Sequence, residues 1–439
     1  MARGDRPAVS GPPSARQVVE AVWRMESARI VSTLARFTSD VALAEDLAQE
    51  ALAEALVAWP RDGVPRNPAG WLLTVGRRRA IDSFRRRSAL DERYAALARG
   101  IGEGGAASVA TGIPAERGRT NADLLWDPDR IDDDVLALLF VACHPVLSRE
   151  ASVALTLRVI GGLTSDEIAR AFVVPTATVQ ARITRAKKTI AAAQVPFAVP
   201  PPEEYRERLG SVLSVLYLVF TEGSSATSGP EWIRPELAHE AVRLSRILTR
   251  LVPDESEAHG LLALLELTAA RLPARLRDDG EPVTLEEQDR RRWDRAAIRR
   301  GRAALRQAGK VGRGLGAYGL QAAIAECHAV APSVEGTDWE RIVLLYEALC
   351  RVAPSPVVEL NRAVAISLSQ GPAAGLAIVD GLVEAGSLVG SHLLSHVRGE
   401  LFSRLGRTDE ARREFALAAQ LCGNDRERGL LQRKLAALG

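Results

Sequence analysis

The chain has few of the residues on which disulfide frameworks and thiolate metal sites depend. Only 4 cysteines occur in 439 residues. They are scattered along the chain and form no Cys-x-x-Cys pair, so the spacing predicts neither a disulfide framework nor a thiolate zinc site. We expect four free thiols in a reducing compartment: Cys143, Cys327, Cys350 and Cys422.

Long apolar runs are also missing. No stretch reaches the ~18 consecutive apolar residues of a membrane helix. The first residues, MARGDRPAVSGPPSARQ, contain no apolar core of the length found in signal peptides. We therefore expect a cytoplasmic protein with no membrane contact.

Aromatic residues make up only 5% of the chain, although hydrophobic residues reach 47%. Ala, Leu and Arg dominate, and this composition favours helices over sheets, so the predicted fold class is all-α. A length of 439 residues predicts two or three domains. The net charge is only +2, but the arginines are clustered, so charge has to be considered locally.

Changes in composition divide the chain into five segments. Residues 1–15 are rich in Pro, Gly and Arg and are expected to be disordered. A helical pattern covers 16–90, interrupted by the Pro- and Gly-rich stretch Pro60–Pro68. Residues 91–134 resemble a flexible linker with an acidic end at 123–134, 135–195 form a second helical unit closed by prolines, and 203–439 continue as helices.

The last segment is predicted to consist of helical hairpins. Two turn glycines, Gly371 and Gly406, lie about one tetratricopeptide period of ~34 residues apart, which favours a short helical stack. Breaks between its helices are predicted at Thr221–Pro230, Pro253, Arg277–Pro282, Gly309–Gly316, Pro332–Gly336, Pro354–Pro356, Gly371 and Gly406.

A helix predicted from Val41 to Trp59 has two different faces. One face carries apolar residues at every fourth position and would pack against a core. The other gathers four polar residues, and by itself such a face is usually solvated surface. The apolar set is Leu43, Leu47, Ala51, Ala55 and Trp59, and the polar set is Asp46, Gln49, Glu50 and Glu54.

The next predicted helix opens with Asn67 as N-cap and Pro68 at the first helical position. Its apolar side is formed by Leu72, Val75, Gly76, Ala80 and Phe84. The opposite side gathers more positive charge than an isolated helix normally carries, since like charges four residues apart repel, and it therefore indicates a phosphate partner. Trp71 and the preceding Pro/Gly loop would hold an unstacked base. The arginines are Arg77, Arg78, Arg79, Arg85, Arg86 and Arg87.

A helix-turn-helix is predicted between residues 157 and 190. Thr164 and Glu167 form a capping box that starts one helix, which runs to about Ala171, and a second helix begins at Pro175 or Thr176. The second helix exposes Thr178, Arg182 and Arg185, flanked by other polar residues, as a major-groove recognition helix does. The flanking residues are Thr176, Gln180, Lys187 and Lys188. A hairpin without DNA function is the alternative.

Together these motifs resemble a known family. The helix with AEDLAQEAL, the helix PAGWLLTVGRRRAIDSFRRR and the segment GGLTSDEIARAFVVPTATVQARITRAKK resemble regions 2 and 4 of extracytoplasmic-function sigma factors, over about residues 16–195. The C-terminal half resembles the subgroup with a fused tetratricopeptide-like extension. That resemblance rests on VLYLVFTEG, LEEQDRRRWDRAAI, LQAAIAECHA and APSPVVELNRAVA.

The resemblance implies a function and its residues. Core RNA polymerase would contact Asp46, Gln49 and Glu50, and the acidic linker 123–134 would lie in a basic channel of the polymerase. Region 2 would recognise and melt the upstream −10 promoter element, and loop 60–70 would capture a flipped base. The residues implied for this role are Arg66, Asn67, Trp71, Arg77, Arg78, Arg85 and Arg86. The −35 element would be read by Thr176, Thr178, Gln180, Arg182, Arg185 and Lys188.

The sequence also departs from the family pattern. Val173 stands where the turn of the helix-turn-helix commonly has Gly, and Thr221–Ser224 (TEGS) replaces the family's Asn-Glu-Gly-Tyr. No catalytic constellation or cofactor motif is present, so we expect no enzymatic activity of its own and no cofactor. His392 and His396 are spaced to bind a metal, but no third ligand is nearby in the sequence, and no metal site is predicted.

Three functions are compatible with these patterns. The first is a sigma factor whose extension is regulatory, contacts regions 2 and 4 and binds an unidentified protein partner. The second is a helix-turn-helix regulator with a protein-binding repeat domain, which leaves the arginine helix and the acidic face unexplained. The third is a structural protein in which both basic segments are incidental. Binding to core polymerase without DNA is required only by the first.

Overall fold

The computed structural model describes residues 15–99, 128–172, 174–225, 231–277 and 280–438. These residues form 18 α-helices and three short 3-10 turns, and the only strand-like pairing among them is an isolated bridge between Leu276 and Pro282. The prediction of an all-α fold is confirmed. Among the helices described, none is both long and apolar enough to cross a membrane.

The chain divides into two compact units. The first comprises the residues up to Ile168 together with Thr176–Val212, and the second comprises Ala169–Pro175 and Leu213–Gly439. The helices that begin before the division are α1 Ala15–Thr38, α2 Val41–Asp62, α3 Pro68–Arg99, α4 Pro128–Ala142, α5 Arg149–Val159, α6 Ser165–Phe172, α7 Thr176–Ala192 and α8 Pro202–Ser224.

Helices α1, α2 and α3 pack against one another, and α1 also packs against α4. Their core contains Trp23, Leu34, Leu47 and Trp59, all buried. At the start of α2 the side chain of Asp40 accepts hydrogen bonds from the backbone N–H groups of the following turn, as an N-cap does.

Helix α2 is longer than predicted. Pro60 lies inside it and the helix ends at Asp62, so the break predicted at Pro60–Pro68 begins at Gly63 instead. A proline in the last turn removes one backbone donor but leaves the earlier hydrogen bonds of the helix in place. The predicted core residue Leu43 is only half-buried.

The predicted N-terminal segment and linker fall largely on residues 1–14 and 100–127, outside the described residues. The ends of the predicted linker that are described are helical, because α3 continues to Arg99 and α4 already begins at Pro128. Val173, which stands where the turn commonly has Gly, also lies outside the described residues.

The two predicted helix starts around the functional segments are confirmed. Asn67 accepts a hydrogen bond from the backbone N–H of Gly70 at 2.9 Å, with Pro68 as the first residue of α3. Thr164 and Glu167 form the reciprocal capping box: the N–H of Thr164 donates to the Glu167 carboxylate at 2.8 Å, and the N–H of Glu167 donates to the Thr164 hydroxyl at 3.1 Å.

The first half of α8 belongs to the first unit, although the C-terminal segment was predicted to begin at residue 203. The ring of Tyr205 lies edge-on to Phe140 of α4, with 5.6 Å between the centroids. Arg208 donates a hydrogen bond to the backbone oxygen of Phe140 at 3.0 Å. Helix α8 continues through Ser224, so the break predicted at Thr221–Pro230 begins a few residues later than Thr221.

The second unit contains the remaining ten helices. In it α10 packs against α9, α11 and α12. The bounds are α9 Pro235–Leu251, α10 Ser256–Ala269, α11 Arg295–Val311, α12 Ala317–Val330, α13 Trp339–Val352, α14 Pro356–Ser369, α15 Pro372–Glu384, α16 His392–Arg404, α17 Thr408–Leu421 and α18 Asp425–Ala437.

Between α10 and α11 the chain is irregular over a longer stretch than the predicted break at Arg277–Pro282. Buried Trp293 anchors this segment in the core of the unit. Arg290 donates hydrogen bonds to the backbone oxygens of His328 at 2.7 Å and Ala331 at 2.8 Å, which ties the segment to the end of α12.

Helices α14 to α17 form two successive hairpins, α14 with α15 and α16 with α17, and α18 packs on α17. The turns contain the two glycines singled out in the sequence, Gly371 with φ +99° and Gly406 with φ +73°. Such positive φ values favour glycine, which explains why both hairpins turn at this residue type.

Candidate nucleic-acid interface

The acidic face of α2 lies close to two basic helices of the first unit, α3 and α7. Asp46 and Glu50 are exposed, and Gln49 is half-buried. The amide nitrogen of Gln49 is shielded from solvent and has no hydrogen-bond partner among the described residues. A shielded donor without a partner is costly in a free protein, and an external acceptor would relieve that cost.

Glu45, the neighbour of this face, is the centre of a buried ion network. Its side chain is only 5% exposed and accepts a hydrogen bond from Arg158 of α5 at 2.8 Å. Lys187 of α7 lies 2.5 Å from the other oxygen of Glu45 and 2.8 Å from Asp46. Burial alone would raise the pKa of Glu45, but the charges of Arg158 and Lys187 hold it below its usual value.

The position of Glu45 among apolar residues of α2 is a signal that the sequence carries. Val41, Ala44, Leu47 and Ala48 are all buried, so Glu45 lies in the middle of the buried side of α2. A carboxylate in such a position needs a cationic partner from elsewhere in the chain. Sequence spacing alone does not identify that partner.

A second set of contacts joins α1 to the segment before α6. The indole N–H of Trp23 donates to the backbone oxygen of Gly162 at 3.0 Å, and the hydroxyl of Ser27 lies 3.4 Å from the oxygen of Ile160. Gly162 has φ +69°, and a Cβ there would come within 2.7 Å of the Ser27 hydroxyl. Arg24 also forms an ion pair with Glu167. The α1–α3 bundle and the helix-turn-helix therefore pack directly on each other.

The arginines of α3 fall into two groups. Arg78 pairs with Glu54 of α2 at 2.7 Å, and Arg79 reaches both Glu50 at 2.9 Å and Glu54 at 2.8 Å. Hydrogen bonds from Arg79 and then Arg78 lower the pKa of Glu54 despite some burial. The half-buried Arg77 lies over the ring of Phe37, 4.8 Å from its centroid.

The second group lies further along α3 and is exposed. Arg85 has only a long contact of 4.0 Å with Asp82. Arg86 and Arg87 form no ion pair or hydrogen bond within the described part of the chain. These cations are free to contact phosphate.

A cavity of about 460 Å³ opens beside Trp71, between α2 and α3. Trp71 is half-buried and stands edge-on to Trp59, with 5.7 Å between the ring centroids. Arg66 and Asn67 are exposed in the loop that precedes α3. The cavity is lined by Glu54, Val57, Ala58, Arg61, Asp62, Trp71, Thr74, Val75 and Arg78.

Helix α7 buries Val179, Ile183, Ala186 and Ile190 and turns its other side outward. Of the predicted −35 residues, Gln180, Arg185 and Lys188 are exposed, and Thr178 and Arg182 are half-buried. Thr176 is engaged, because its hydroxyl donates to Asp166 at 2.8 Å. Lys187, predicted to flank this face, is instead held by Glu45 and Asp46.

The surroundings of His392 include side chains that local sequence spacing does not indicate. His392 was discounted because the sequence offers no third ligand near it and His396. The structure brings Cys422 and Glu427 to His392, with the ligand atoms of these three residues within 4.8 Å of one another. Folding supplies ligands that lie 30 or more residues further along the chain.

Family profiles match most of the N-terminal half and part of the C-terminal half. Residues 22–89 match sigma-70 region 2, and residues 137–190 match sigma-70 region 4. Residues 208–309 match a family of unknown function, DUF6596. The order of the three matches is the one that the sequence motifs indicated.

The chain is also similar to individual proteins. It is 43% identical over 412 residues to an uncharacterized protein of Rhizobium meliloti (strain 1021), and the match covers 92% of each chain. It is 28% identical over 185 residues to a protein of Mycobacterium tuberculosis (strain CDC 1551 / Oshkosh) named "Probable ECF RNA polymerase sigma factor SigI", covering 42% of this chain and 58% of the relative. The same match is found in strain ATCC 25618 / H37Rv.

Proposed function

Because the chain belongs to the proteins that join sigma-70 regions 2 and 4 to a DUF6596 extension, we propose that it binds core RNA polymerase and directs transcription initiation at specific promoters. The observation that best supports this function is the position of α2 between the two basic helices. Its carboxylates hold cations of both basic helices, α3 and α7. The chain supplies no chemistry of its own in this role, because polymerase forms the RNA.

The residues proposed for core polymerase are Asp46, Gln49 and Glu50. Two of them are exposed carboxylates, and the amide nitrogen of Gln49 lacks a partner in the described structure. A basic or polar surface of polymerase would complement all three. The acidic linker is proposed to lie in a basic channel of the polymerase.

The −10 element is proposed to bind and melt at region 2. The cavity beside Trp71 has the aromatic wall and the cations that a flipped base and its phosphate require, with Arg78 and Arg61 at its edge. Arg66 and Asn67 would contact the strand at the loop. Arg77, Arg85 and Arg86 would hold phosphates along α3.

The −35 element is proposed to bind α7 in duplex form. Gln180 and Arg185 are exposed on its outer side, where a helix in the major groove reaches base edges. Arg182, Thr176 and Thr178 would complete the reading face, with Lys188 on a phosphate. Thr176 would have to exchange its contact with Asp166 for one with DNA.

Polymerase binding and promoter binding would be coupled through α2. Asp46 and Glu50, proposed for polymerase, are paired with Lys187 and Arg79. When polymerase binds these carboxylates, each cation would lose one of its two partners, since Lys187 keeps Glu45 and Arg79 keeps Glu54, and would be more readily available to phosphate. Promoter affinity would therefore rise on polymerase binding, because the two equilibria share the same groups.

The extension is proposed to be regulatory and to bind a protein partner, since stacks of helical hairpins commonly present a peptide-binding surface. A chain ending after residue 224 should change promoter-dependent transcription while it still binds core polymerase. Unchanged transcription on all promoters would contradict a regulatory role. The proposed site of action is the cytoplasm.

Run-off transcription tests the function directly. Purified core polymerase would be given a genomic fragment library with no added factor, with the full chain, or with the Arg182→Ala/Arg185→Ala variant. We expect specific start sites with the full chain only, weakened about 10-fold or more in the variant, since each lost base contact costs about 1 to 3 kcal/mol. Their absence with the full chain would contradict the proposal.

A helix-turn-helix regulator with a repeat domain is the second candidate, favoured only by the exposed face of α7. Such a regulator would bind duplex DNA equally well with or without core polymerase. It would also leave the Trp71 cavity without a role. Mutating Trp71→Ala would then leave transcription unchanged, whereas a sigma factor would lose promoter melting.

A further inference from the structure

Three metal-binding side chains meet where α16, α17 and α18 come together in the second unit. His392 is the first residue of α16, Cys422 directly follows α17, and Glu427 lies in the first turn of α18. Their ligand atoms all lie within 4.8 Å of one another. None of the three belongs to the surfaces proposed for polymerase or DNA.

The distances suit a small divalent ion. The Nε2 atom of His392 lies 3.2 Å from Oε1 of Glu427. Ligand atoms at the corners of a tetrahedral zinc site are about 3.3 to 3.7 Å apart, given bonds of roughly 2.0 to 2.3 Å. The histidine and the carboxylate are therefore already at this spacing, and a small movement of the thiol would complete a three-ligand corner.

The ring of His392 provides an independent observation. Its Nε2 atom is shielded from solvent and makes no hydrogen bond, although Glu427 is close. Shielded polar atoms in folded proteins nearly always have a partner, because a buried polar atom without a hydrogen bond costs free energy. A bound cation would be that partner.

The backbone around the cluster is held in place. Asn424 caps α18: its Oδ1 atom accepts hydrogen bonds from the backbone N–H groups of Arg426 at 3.0 Å and Glu427 at 3.1 Å. Its amide also donates to the backbone oxygen of Glu231 at 2.7 Å. Cys422 is buried, with Sγ 3.4 Å from the oxygen of Asn424. Such outer contacts orient metal ligands.

His396, four residues after His392, does not share this position. Its ring lies 3.7 Å from Glu400, and Glu400 also pairs with Lys434. The spacing of the two histidines on one helix therefore does not define the site. His396 instead provides a matched control on the same helix.

We propose that His392, Cys422 and Glu427 form a binding site for Zn²⁺ or a chemically similar divalent ion. One nitrogen, one sulfur and one carboxylate oxygen are a donor set that zinc accepts, with water in the fourth position. On binding, the Cys422 thiol gives its proton to solvent and the thiolate coordinates the ion. The C-terminal extension would then respond to metal availability.

Cobalt(II) is the probe for this site, because a thiolate bound to it gives a charge-transfer absorption band. The full-length chain, stripped with a chelator, would be titrated with Co²⁺ and then with Zn²⁺. We expect one equivalent of Co²⁺ to produce the band and Zn²⁺ to displace it. A titration without any band would overturn the proposal.

Two pairs of variants locate the ion. Cys422→Ser should abolish the band, and Cys350→Ser, which changes another free cysteine, should leave it unchanged. His392→Gln should weaken Co²⁺ binding more than about 100-fold, beyond the 10- to 100-fold typical of outer contacts, and His396→Gln should not. A band that survives Cys422→Ser, or that depends on Cys350, would overturn the assignment.

A third measurement separates loss of binding from loss of folding. Glu427 is half-buried, and Glu427→Gln keeps its shape. Zn²⁺ should raise the unfolding temperature of the full-length wild-type chain by several degrees and that of Glu427→Gln much less, with equal unfolding temperatures in chelator. An equal rise in both proteins would contradict the site.

Discussion

Helices α3 and α7 are both basic, yet α2 holds their cations in different ways. Arg78 and Arg79 of α3 pair with Glu54, whose side chain is 28% exposed, and Arg79 also pairs with Glu50, whose side chain is 53% exposed. Lys187 of α7 pairs with Glu45, whose side chain is only 5% exposed. Helix α2 therefore makes a solvent-accessible contact with α3 and a buried contact with α7.

The difference in burial indicates different roles. Exposed pairs usually contribute little to stability, because water screens them, so Glu50 can release Arg79 at small cost. A buried carboxylate that loses a partner leaves an uncompensated charge. Glu45 therefore fixes how the helix-turn-helix packs on the α1–α3 bundle, and the exposed acids remain available for exchange.

Mutation of the buried carboxylate should have the largest effect on stability. Glu45→Gln removes the charge that compensates Arg158 and Lys187, and we expect the free energy of unfolding to fall by about 2 to 4 kcal/mol. Glu50→Gln, at the exposed pair with Arg79, should lower it by less than about 1 kcal/mol. Urea denaturation of the full chain measures both, and equal losses would remove the distinction between the two contacts.

The contribution of Glu45 should also depend on pH. Its pKa is lowered in the folded state because Arg158 and Lys187 outweigh the effect of burial. A lowered pKa stabilises the fold above the unfolded value, and the stabilisation is lost as pH falls through the folded value. The stability difference between wild type and Glu45→Gln should be full at neutral pH and shrink below about pH 4. A constant difference down to pH 3 would contradict this assignment.

Gly162 tests the second contact between the bundle and the helix-turn-helix. An alanine there must adopt φ +69° and place its Cβ within 2.7 Å of the Ser27 hydroxyl. We expect a loss of about 2 kcal/mol in thermal or urea unfolding. Gly210→Ala is the control, because Gly210 lies inside α8 with open space around it, and stability there should rise slightly. Equal behaviour of the two variants would contradict a tight contact.

Two neighbouring lysines test the coupling through α2 and should give the smallest effect. Lys187→Met frees Asp46 but also leaves Glu45 with Arg158 as its cationic partner, which costs stability, so affinity is measured on the folded chain. There it should raise the affinity for core polymerase by roughly 2- to 5-fold, the equivalent of a pair worth about 0.5 to 1 kcal/mol. Lys188→Met should leave that affinity unchanged, because Lys188 forms no ion pair among the described residues. Fluorescence anisotropy without DNA measures both, and a loss of affinity in Lys187→Met would contradict the coupling.

Local features of the fold followed from the sequence. The capping box at Thr164 and Glu167 and the N-cap at Asn67 lie where the residue types required them. The predicted breaks from Pro253 onward fall at gaps between helices, although the break at Gly309–Gly316 starts inside α11, which ends at Val311. These features depend on contacts within a few residues, which sequence patterns report directly.

Features of the structure that depend on residues far apart in the chain could not be predicted from the sequence. Glu45 is 113 residues from Arg158 and 142 residues from Lys187, so no local pattern pairs them. The ligand cluster at His392 joins three different elements for the same reason. The exact end of α2 did not follow either, because a proline in the last turn of a helix does not stop it, and α2 continues past Pro60 to Asp62.

Binding to core polymerase in the absence of DNA tests the central proposal most directly. Labelled full-length chain would be titrated with core polymerase, together with the Asp46→Asn/Glu50→Gln variant and Lys188→Met as the control. We expect saturable one-to-one binding that weakens at least about 10-fold in the double variant and is unchanged in the control. No binding by the full chain, with duplex DNA still bound, would contradict the sigma-factor function and favour a helix-turn-helix regulator.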